Sequence, residues 1–525
     1  MTERFADWLD RNKLWLFAAW LVYAYVIHYQ LIGYMSWDGF GYRTTPVVEL
    51  MLDGDLNAEK FNDWAMVGHV PFLELLHVPF LKVFGMRGLL MGFPLVLFPL
   101  CVIAVYLFMR ELTGSSRGGT LGAFAYVAIP MVNQQPFTGY VDFAVTAILA
   151  YWLYAMLRLR ADERPLRRWG RLALATFFLT MSRSQGVYLV IVLAPILAYA
   201  IFGQREKLRV RFEQRGVLWR AAGVLALGAV PAIGIQIYKY YAYGSPIAPM
   251  QFSFLGIKIG TGVPIDTYFH FAGLEGSDLR SLAKGAFEGW IWHPSWPLGA
   301  FFASRFMATG LLFNLALLVL PLALRHATRV ERWILAGGLL VSFLSKDFAV
   351  PRWSYTTTLA LAIVLGRALL VLCESKHRKP WFWVVFAIAA LHLWLRPAFD
   401  VLQIQKGYIS PRLNVTQSTM FIHTDGSDEV HMLPNRRFEV VVLEGMPFSL
   451  QVYGQTFTNK MLGTIPGRYV LPNCEGLRTF KAEHPKALFI DDQHFSAKCD
   501  RHCVVTVAGW YCALWQINLA PSPQR

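Results

Sequence analysis

The 525-residue chain is 55% hydrophobic and only 16% charged, with 15% aromatic residues and a mean hydropathy of +0.39. That composition excludes a soluble multidomain enzyme, a disordered chain, a collagen and a disulfide-held miniprotein. The formal net charge of +15 would suit nucleic acid on a soluble surface, but the basic residues gather in short stretches between apolar runs. There they orient a polytopic membrane protein, so the lipid bilayer is an expected partner and nucleic acid is not.

Crossing about 30 Å of hydrocarbon takes roughly 20 apolar residues in a helix, because lipid satisfies no open backbone group. Residues 14–34 meet that length. They are too long for a signal-peptide core and lack a small-residue cleavage site, so they read as a retained first helix. Arg4, Arg11 and Lys13 precede it and place the N-terminus in the cytoplasm. Further apolar runs lie at 88–108, 119–133, 143–158, 172–203, 217–239, 298–324, 333–349, 355–373 and 381–396. Basic stretches flank both ends of the run 172–203: Arg164, Arg167, Arg168 and Arg171 before it, Arg205, Lys207, Arg209 and Arg211 after it. Both ends are therefore expected on the cytoplasmic side, which requires two short helices meeting at Ser182-Arg183-Ser184-Gln185-Gly186 with Arg183 at the hairpin tip. The resulting mainly α architecture has about eleven transmembrane helices. Residues 1–396 form the membrane domain, and 397–525 form a small exterior α/β domain.

Two exterior loops, 35–87 and 240–297, are long for connectors. The first opens with Trp37-Asp38-Gly39-Phe40-Gly41-Tyr42-Arg43 directly after helix one and continues to Gly68-His69-Val70-Pro71. A carboxylate at the membrane interface stays ionised yet faces a partly dehydrated cleft, which suits Asp38 as a general base; a helix cap or a solvated acid is the plain alternative. Asp142 is the second acid, at the exterior mouth of helix four, where it also suits an N-cap. Arg183, Arg305 and Arg352 fall on the same side, near or inside spans. An arginine kept there faces a cavity or an anion, or snorkels to headgroups, and its planar fork holds phosphate oxygens bidentately. Tyr42, His69, Tyr140, Gln185 and, in the aromatic-rich stretch Trp290-Ile291-Trp292-His293, Trp292 are the substrate-side candidates. His69, His77, His270 and His293 form no recognised ligand spacing with an acid, so no metal is expected.

Past residue 397 polar sequence alternates with short strand-like runs at 438–443, 487–490 and 504–507. Cys474, Cys499, Cys503 and Cys512 lie in this tail, whereas Cys101 and Cys373 lie in helices. An even set on the exterior suits disulfides in an oxidising compartment; a zinc site is the rival, and the spacing lacks a paired C-x-x-C.

These residues resemble the C-type (GT-C) integral-membrane glycosyltransferase superfamily, especially the branch of protein mannosyltransferases and the lipid A aminoarabinose transferase. The likeness runs over roughly the first 200 residues. It rests on Asp38 after helix one, Glu49 through Leu56, Pro71-Phe72-Leu73, Lys82-Val83-Phe84-Gly85, the stretch from Pro130 to Asp142, and the hairpin at Arg183. Where the branch has Lys-Pro-Pro, this chain has His69-Val70-Pro71, so that lysine contact does not carry over.

The resemblance implies an inverting transfer in the bacterial inner membrane. The sugar passes from a polyprenyl-phosphate donor to an acceptor hydroxyl on a glycan, a lipid or a protein such as a pilin, on the periplasmic side, where the C-terminal domain also lies. It implies Asp38 as base and Asp142 as a second carboxylate that orients the acceptor or shares the base role. Arg183, with Arg352 or Arg305, would form the phosphate clamp. Arginines alone can neutralise a monophosphate leaving group, so no cofactor is required. An O-antigen polymerase or ligase using diphosphate donors, and a lipid-linked sugar flippase, are the competing classes. A flippase would place its ionisable residues near the midplane in repeated broken helices.

Overall fold

The computed structural model describes residues 1–28, 34–36, 43–54, 71–160, 164–183, 185–202, 208–243, 250–254, 257–259, 263–264, 278–291, 309, 311–344, 354–375, 377–405, 412–414, 419–421, 429–431, 441–444, 461–465, 482, 488–492, 501–507 and 511–517. Two units follow from its contacts: residues 1–25, 94–136 and 141–399, and residues 26–93, 137–140 and 400–525. The helices in chain order are α1 Thr2–Val26, α2 Thr45–Asp53, α3 Val78–Phe84, α4 Phe98–Thr113, α5 Ser116–Ala128, α6 Pro130–Thr138, α7 Asp142–Leu157 and α8 Pro165–Ser182. They continue with α9 Gln185–Phe202, α10 Leu208–Tyr243, α11 Leu279–Ala286, α12 Leu311–His326, α13 Arg329–Leu344, α14 Tyr355–Glu374 and α15 Lys379–Gln405.

The first unit is a helix bundle, and among the described residues each apolar run marked in the sequence contains a helix, although α1 ends at Val26 and Tyr34 stands in a strand. By length and composition, Gly92–Thr113, Gly216–Tyr238 and Tyr355–Glu374 are single candidate membrane spans among the described residues, and α6 with α7 is a fourth that bends by 117°. Gln185–Tyr199, Leu311–His326 and Lys379–Leu395 are shorter apolar helices. Trp219, Leu227, Val230, Ile233 and Ile237 are exposed along α10, a surface that water disfavours and lipid accepts. The protein is a multi-pass membrane protein.

α14 is the central helix, with 89% of its apolar window buried. It meets α5 at a crossing of small residues. A Cβ on Gly366 would lie 2.7 Å from the Cα of Gly122, so glycine is what lets the two backbones touch. The next residue, Arg367, donates from Nε to Glu331 Oε1 (2.8 Å) and from a terminal nitrogen to the Leu112 carbonyl (3.4 Å). Glu331 also closes a capping box: its backbone N–H donates to Thr328 Oγ1 (3.2 Å), and its carboxylate accepts from the Thr328 N–H.

α1 begins at Thr2 rather than near residue 14, so the polar N-terminal residues are helical too. They dock on the bundle: Thr2 donates to the Cys373 carbonyl (3.0 Å), Asp10 accepts from Ser116 (2.9 Å), and Asp7 pairs with Arg117. Farther along, the Trp20 indole donates to the Leu393 carbonyl (3.1 Å).

The run 172–203 divides as its flanking charge requires, into α8 and α9 with Arg183 between them in extended conformation. Gly186 makes the hairpin tight, since its N–H donates to the Arg183 carbonyl (2.9 Å) and a Cβ there would sit 1.9 Å from the Leu179 carbonyl oxygen.

In the second unit β1 (Tyr34–Ser36) pairs antiparallel with the C-terminal strand β5 (Arg412–Asn414), so the first loop and the tail share a sheet. Strands β6 (Thr419–Phe421) and β7 (Glu429–His431) extend it. A five-stranded sheet comprises β8 (Val441–Glu444), β9 (Met461–Ile465), β10 (Leu488–Asp492), β11 (Arg501–Val507) and β12 (Tyr511–Ile517), in the order β11-β12-β10-β8-β9. β8 pairs in parallel with both β9 and β10, which demands crossover connections. Cys503 stands opposite Trp515 and Cys512 opposite Thr506, so those two cysteines are not ladder partners. Cys474 and Cys499 lie outside the described residues.

Gly186→Ala should lower stability by about 1–3 kcal/mol or more, because the hairpin backbones must separate to admit the methyl group. Gly170→Ala on α8, which would meet nothing within 4 Å, should be neutral or stabilising by up to about 1 kcal/mol. Thermal unfolding of the two purified variants checks the pair; equal midpoints would contradict the packing described for Gly186.

Candidate active site

The chain brings together three side chains at one end of the bundle that are distant in sequence. Asp142, at the start of α7, is ion-paired with Arg183 at the hairpin tip, with 2.8 Å between Asp142 Oδ1 and an Arg183 terminal nitrogen. The Tyr355 hydroxyl, at the start of α14, donates to the same oxygen (3.2 Å). The Asp142 side chain is 1% exposed and that of Arg183 17%. Removing one partner of such a buried pair leaves an uncompensated charge, at a cost of about 3–5 kcal/mol.

Local sequence explains each position. Ile129 is extended and Pro130 opens α6; the chain then bends sharply before α7. The N-cap expected of Asp142 falls one residue earlier: Val141 occupies that position and Asp142 is the first residue of α7. Gln135 caps the first turn, its Oε1 accepting from the Phe143 N–H (2.6 Å), while the Asp142 carboxylate accepts from Arg183 and Tyr355. The Trp152 indole donates to Thr176 Oγ1 (3.2 Å), clamping α7 to α8. Hydroxyls join the end of α13 to the start of α14 beside Tyr355: Ser342 Oγ lies 2.9 Å from Ser354 Oγ and 2.6 Å from Thr356 Oγ1, and Thr356 donates to the Gly338 carbonyl (2.9 Å). An apolar groove runs between α7, α9, α13 and α14, lined in part by Leu149, Leu153, Leu193, Ile334, Thr356 and Leu359.

In the second unit, the first loop has its own buried charges. Arg43 pairs with Glu74 (3.5 Å), with side chains 1% and 2% exposed, and its guanidinium lies 5.7 Å from the ring centroid of Tyr140. His77, in the same 3-10 turn as Glu74, packs against Phe93 with ring centroids 4.2 Å apart. Burial pushes its imidazole down from 6.5 to about 4, against the opposing pull of the Glu74 carboxylate.

Of the residues marked in the sequence, Asp142 and Arg183 thus meet, Tyr140 meets Arg43, and Gln185 opens α9 beside the hairpin tip. Asp38, Tyr42, His69, Trp292, Arg305 and Arg352 lie outside the described residues, as do His270 and His293. Among the described residues no group of three or more His, Cys, Asp or Glu side chains comes together. Sequence reading missed Tyr355, Gln135, Arg43 and Glu74. The signals were thin: Arg43 stands next to Tyr42 in the first loop, and Tyr355 stands three residues after Arg352.

The His77 shift has a defined sign. Between pH 6.5 and about 4 the unfolded chain takes up a proton that the folded loop refuses. Stability is therefore full above pH 6.5 and is lost as pH falls toward 4, by about 3 kcal/mol. Unfolding midpoints across that range should fall more steeply for the wild type than for His77→Phe; parallel curves would contradict a neutral buried imidazole.

Residues 69–233 match the family model described as dolichyl-phosphate-mannose-protein mannosyltransferase. No curated protein sequence matches the chain. Among solved structures, the crystal structure of ArnT from Cupriavidus metallidurans bound to undecaprenyl phosphate aligns with a TM-score of 0.56 at 12% identity, covering 98% of this chain and 99% of that one. The same protein in the apo state gives 0.57 at 11% identity, covering 98% and 100%; likeness at this identity establishes a shared fold. The Archaeoglobus fulgidus oligosaccharyltransferase reaches only 0.45 at 13% identity, over 90% of this chain and 68% of that one. The chain therefore resembles the C-type integral-membrane glycosyltransferases of the protein mannosyltransferase and ArnT branch, in sequence over residues 69–233 and in fold over nearly its whole length.

Proposed function

We propose that the protein is an inverting glycosyltransferase that moves a sugar from a polyprenyl-phosphate donor to an acceptor hydroxyl at the periplasmic face of a bacterial inner membrane. The observation that carries this reading is the buried Asp142–Arg183–Tyr355 cluster at one end of the bundle, within a fold shared with an undecaprenyl-phosphate-binding relative. In the step proposed, the acceptor oxygen attacks the anomeric carbon, the bond from that carbon to the phosphate oxygen breaks, and polyprenyl phosphate leaves. The acceptor proton passes to Asp38. Asp142, held by Arg183 and Tyr355, orients the reacting hydroxyl, an entropic contribution that a carboxylate fixed in position can make and a mobile one cannot.

A guanidinium carries five N–H donors in a planar fork, so an arginine that donates to a carboxylate can also donate to a phosphate oxygen. Arg183 takes that second role, joined by Arg352 or Arg305, and arginines neutralise the departing monophosphate without a metal. Since β1 precedes Asp38 by two residues in sequence, its pairing with β5 supports a bracing role for the C-terminal segment. Its disulfides would join Cys503 and Cys512 to Cys474 and Cys499 rather than to each other, because the ladder register keeps the former pair apart.

Radiolabelled sugar supplied on a panel of polyprenyl monophosphates, added to membranes of the wild type and of Asp38→Asn, tests the reaction. Label should move with the wild type and fall by about 10²–10⁴-fold in Asp38→Asn, the span that a general base contributes. Asp142→Asn should lose about 10²-fold through misplacement of the acceptor. Turnover in Asp38→Asn equal to the wild type, or label moving only from diphosphate donors, would overturn the proposal.

A further inference from the structure

The end of the bundle remote from Asp142 holds arginines for which the transfer reaction has no use. α7 is 16 residues long, about 24 Å, and Arg158 follows its C-terminus. Arg164, the cap residue of α8, then leads into Arg167, Arg168 and Arg171 in the first two turns of that helix. Arg158 is held by Glu111 (3.4 Å). No carboxylate among the described residues pairs with Arg164, Arg167 or Arg168. The Arg168 guanidinium lies 4.8 Å from the centroid of the neighbouring Trp169 ring and donates to the Leu159 carbonyl (3.4 Å), and that of Arg171 lies 5.3 Å from the Tyr154 ring. Aromatic faces thus support guanidinium groups at the base of the cluster. Between Arg164 and Arg167, Leu166 is 87% exposed.

An exposed leucine among arginines that no carboxylate among the described residues pairs with is a poor arrangement in water and a good one at a bilayer surface. There the leucine and the tryptophan enter the acyl boundary while guanidinium groups reach phosphate oxygens. We infer that the first two turns of α8 form a binding site for the headgroup of an anionic phospholipid, held by Arg164, Arg167 and Arg168 over Leu166 and Trp169. The ligand is a lipid rather than a soluble anion because Leu166 and Trp169 contribute only if an acyl chain accompanies the phosphate. Arg171 precedes Arg183 by 12 residues along α8, about 18 Å. The site is therefore separate from the Asp142 cluster and independent of the transfer reading.

Native mass spectrometry of the detergent-purified protein, with phosphatidylglycerol and phosphatidylcholine supplied at equal concentration, tests the inference. The wild type should retain phosphatidylglycerol in preference. The combined variant Arg164→Gln, Arg167→Gln and Arg168→Gln should weaken that binding by roughly fivefold per arginine, about a hundredfold in all. Should that variant fail to fold, Arg167→Gln alone should lose about fivefold. Leu166→Gln, which keeps every charge, should also weaken phosphatidylglycerol binding. Equal retention of the two lipids, an unchanged preference in the arginine variants, or displacement of phosphatidylglycerol by inorganic phosphate would overturn it.

Discussion

A carboxylate and a guanidinium held together in an apolar bundle constrain everything around them. Each ion alone would carry a desolvation penalty that no neighbouring leucine could offset, so the pair dictates where the α8–α9 hairpin must meet the mouth of α7. Asp142 and Arg183 fix that meeting, and Tyr355 extends it to α14. The surrounding features serve this geometry. Gly186 lets the hairpin backbones close, Gln135 caps the first turn of α7, and the hydroxyls of Ser342, Ser354 and Thr356 tie the start of α14, where Tyr355 stands, to α13.

α14 links the two ends of the bundle. At its N-terminus Tyr355 binds Asp142; just over three turns on, Arg367 binds Glu331 and the Leu112 carbonyl. Between them, Gly366 allows contact with α5 at backbone distance. A helix anchored at its start and again past its middle, and packed on small residues, has little freedom to shift. A transferase benefits from that rigidity, because reacting groups held in register lower the entropic part of the barrier. The arginine-rich start of α8 lies at the end away from Asp142, which separates attachment to lipid headgroups from the chemistry.

The helices were legible in the sequence because apolar length and flanking charge are local properties. The division of residues 172–203 followed from arginines on both sides, a count that requires an even number of crossings. Asp142 was legible as an acid at a helix mouth, yet the capping role expected of it belongs to Gln135, seven residues earlier in a different helix. Its true partners lie 41 and 213 residues away. No periodicity or spacing reports a pairing at that range, which only the packing of α7, α8 and α14 creates. Arg43 and Glu74 escaped notice for the same reason: each looks like a solvated loop charge until burial brings them together. The strands at 441–444, 488–492 and 501–507 matched the alternating runs, whereas the parallel pairing of β8 with β9 and β10 had no sequence signature.

The central claim is that Arg183, anchored by Asp142, also receives the phosphate of a prenyl carrier. Binding of undecaprenyl phosphate, without any sugar, to the purified wild type and to a folded Arg183→Ala variant tests it most directly. The account predicts binding to the wild type and a loss of about 10–100-fold in the variant, the worth of charge-assisted hydrogen bonds to one phosphate. Equal affinity in the two proteins would contradict it and leave Arg183 as a structural partner of Asp142 alone.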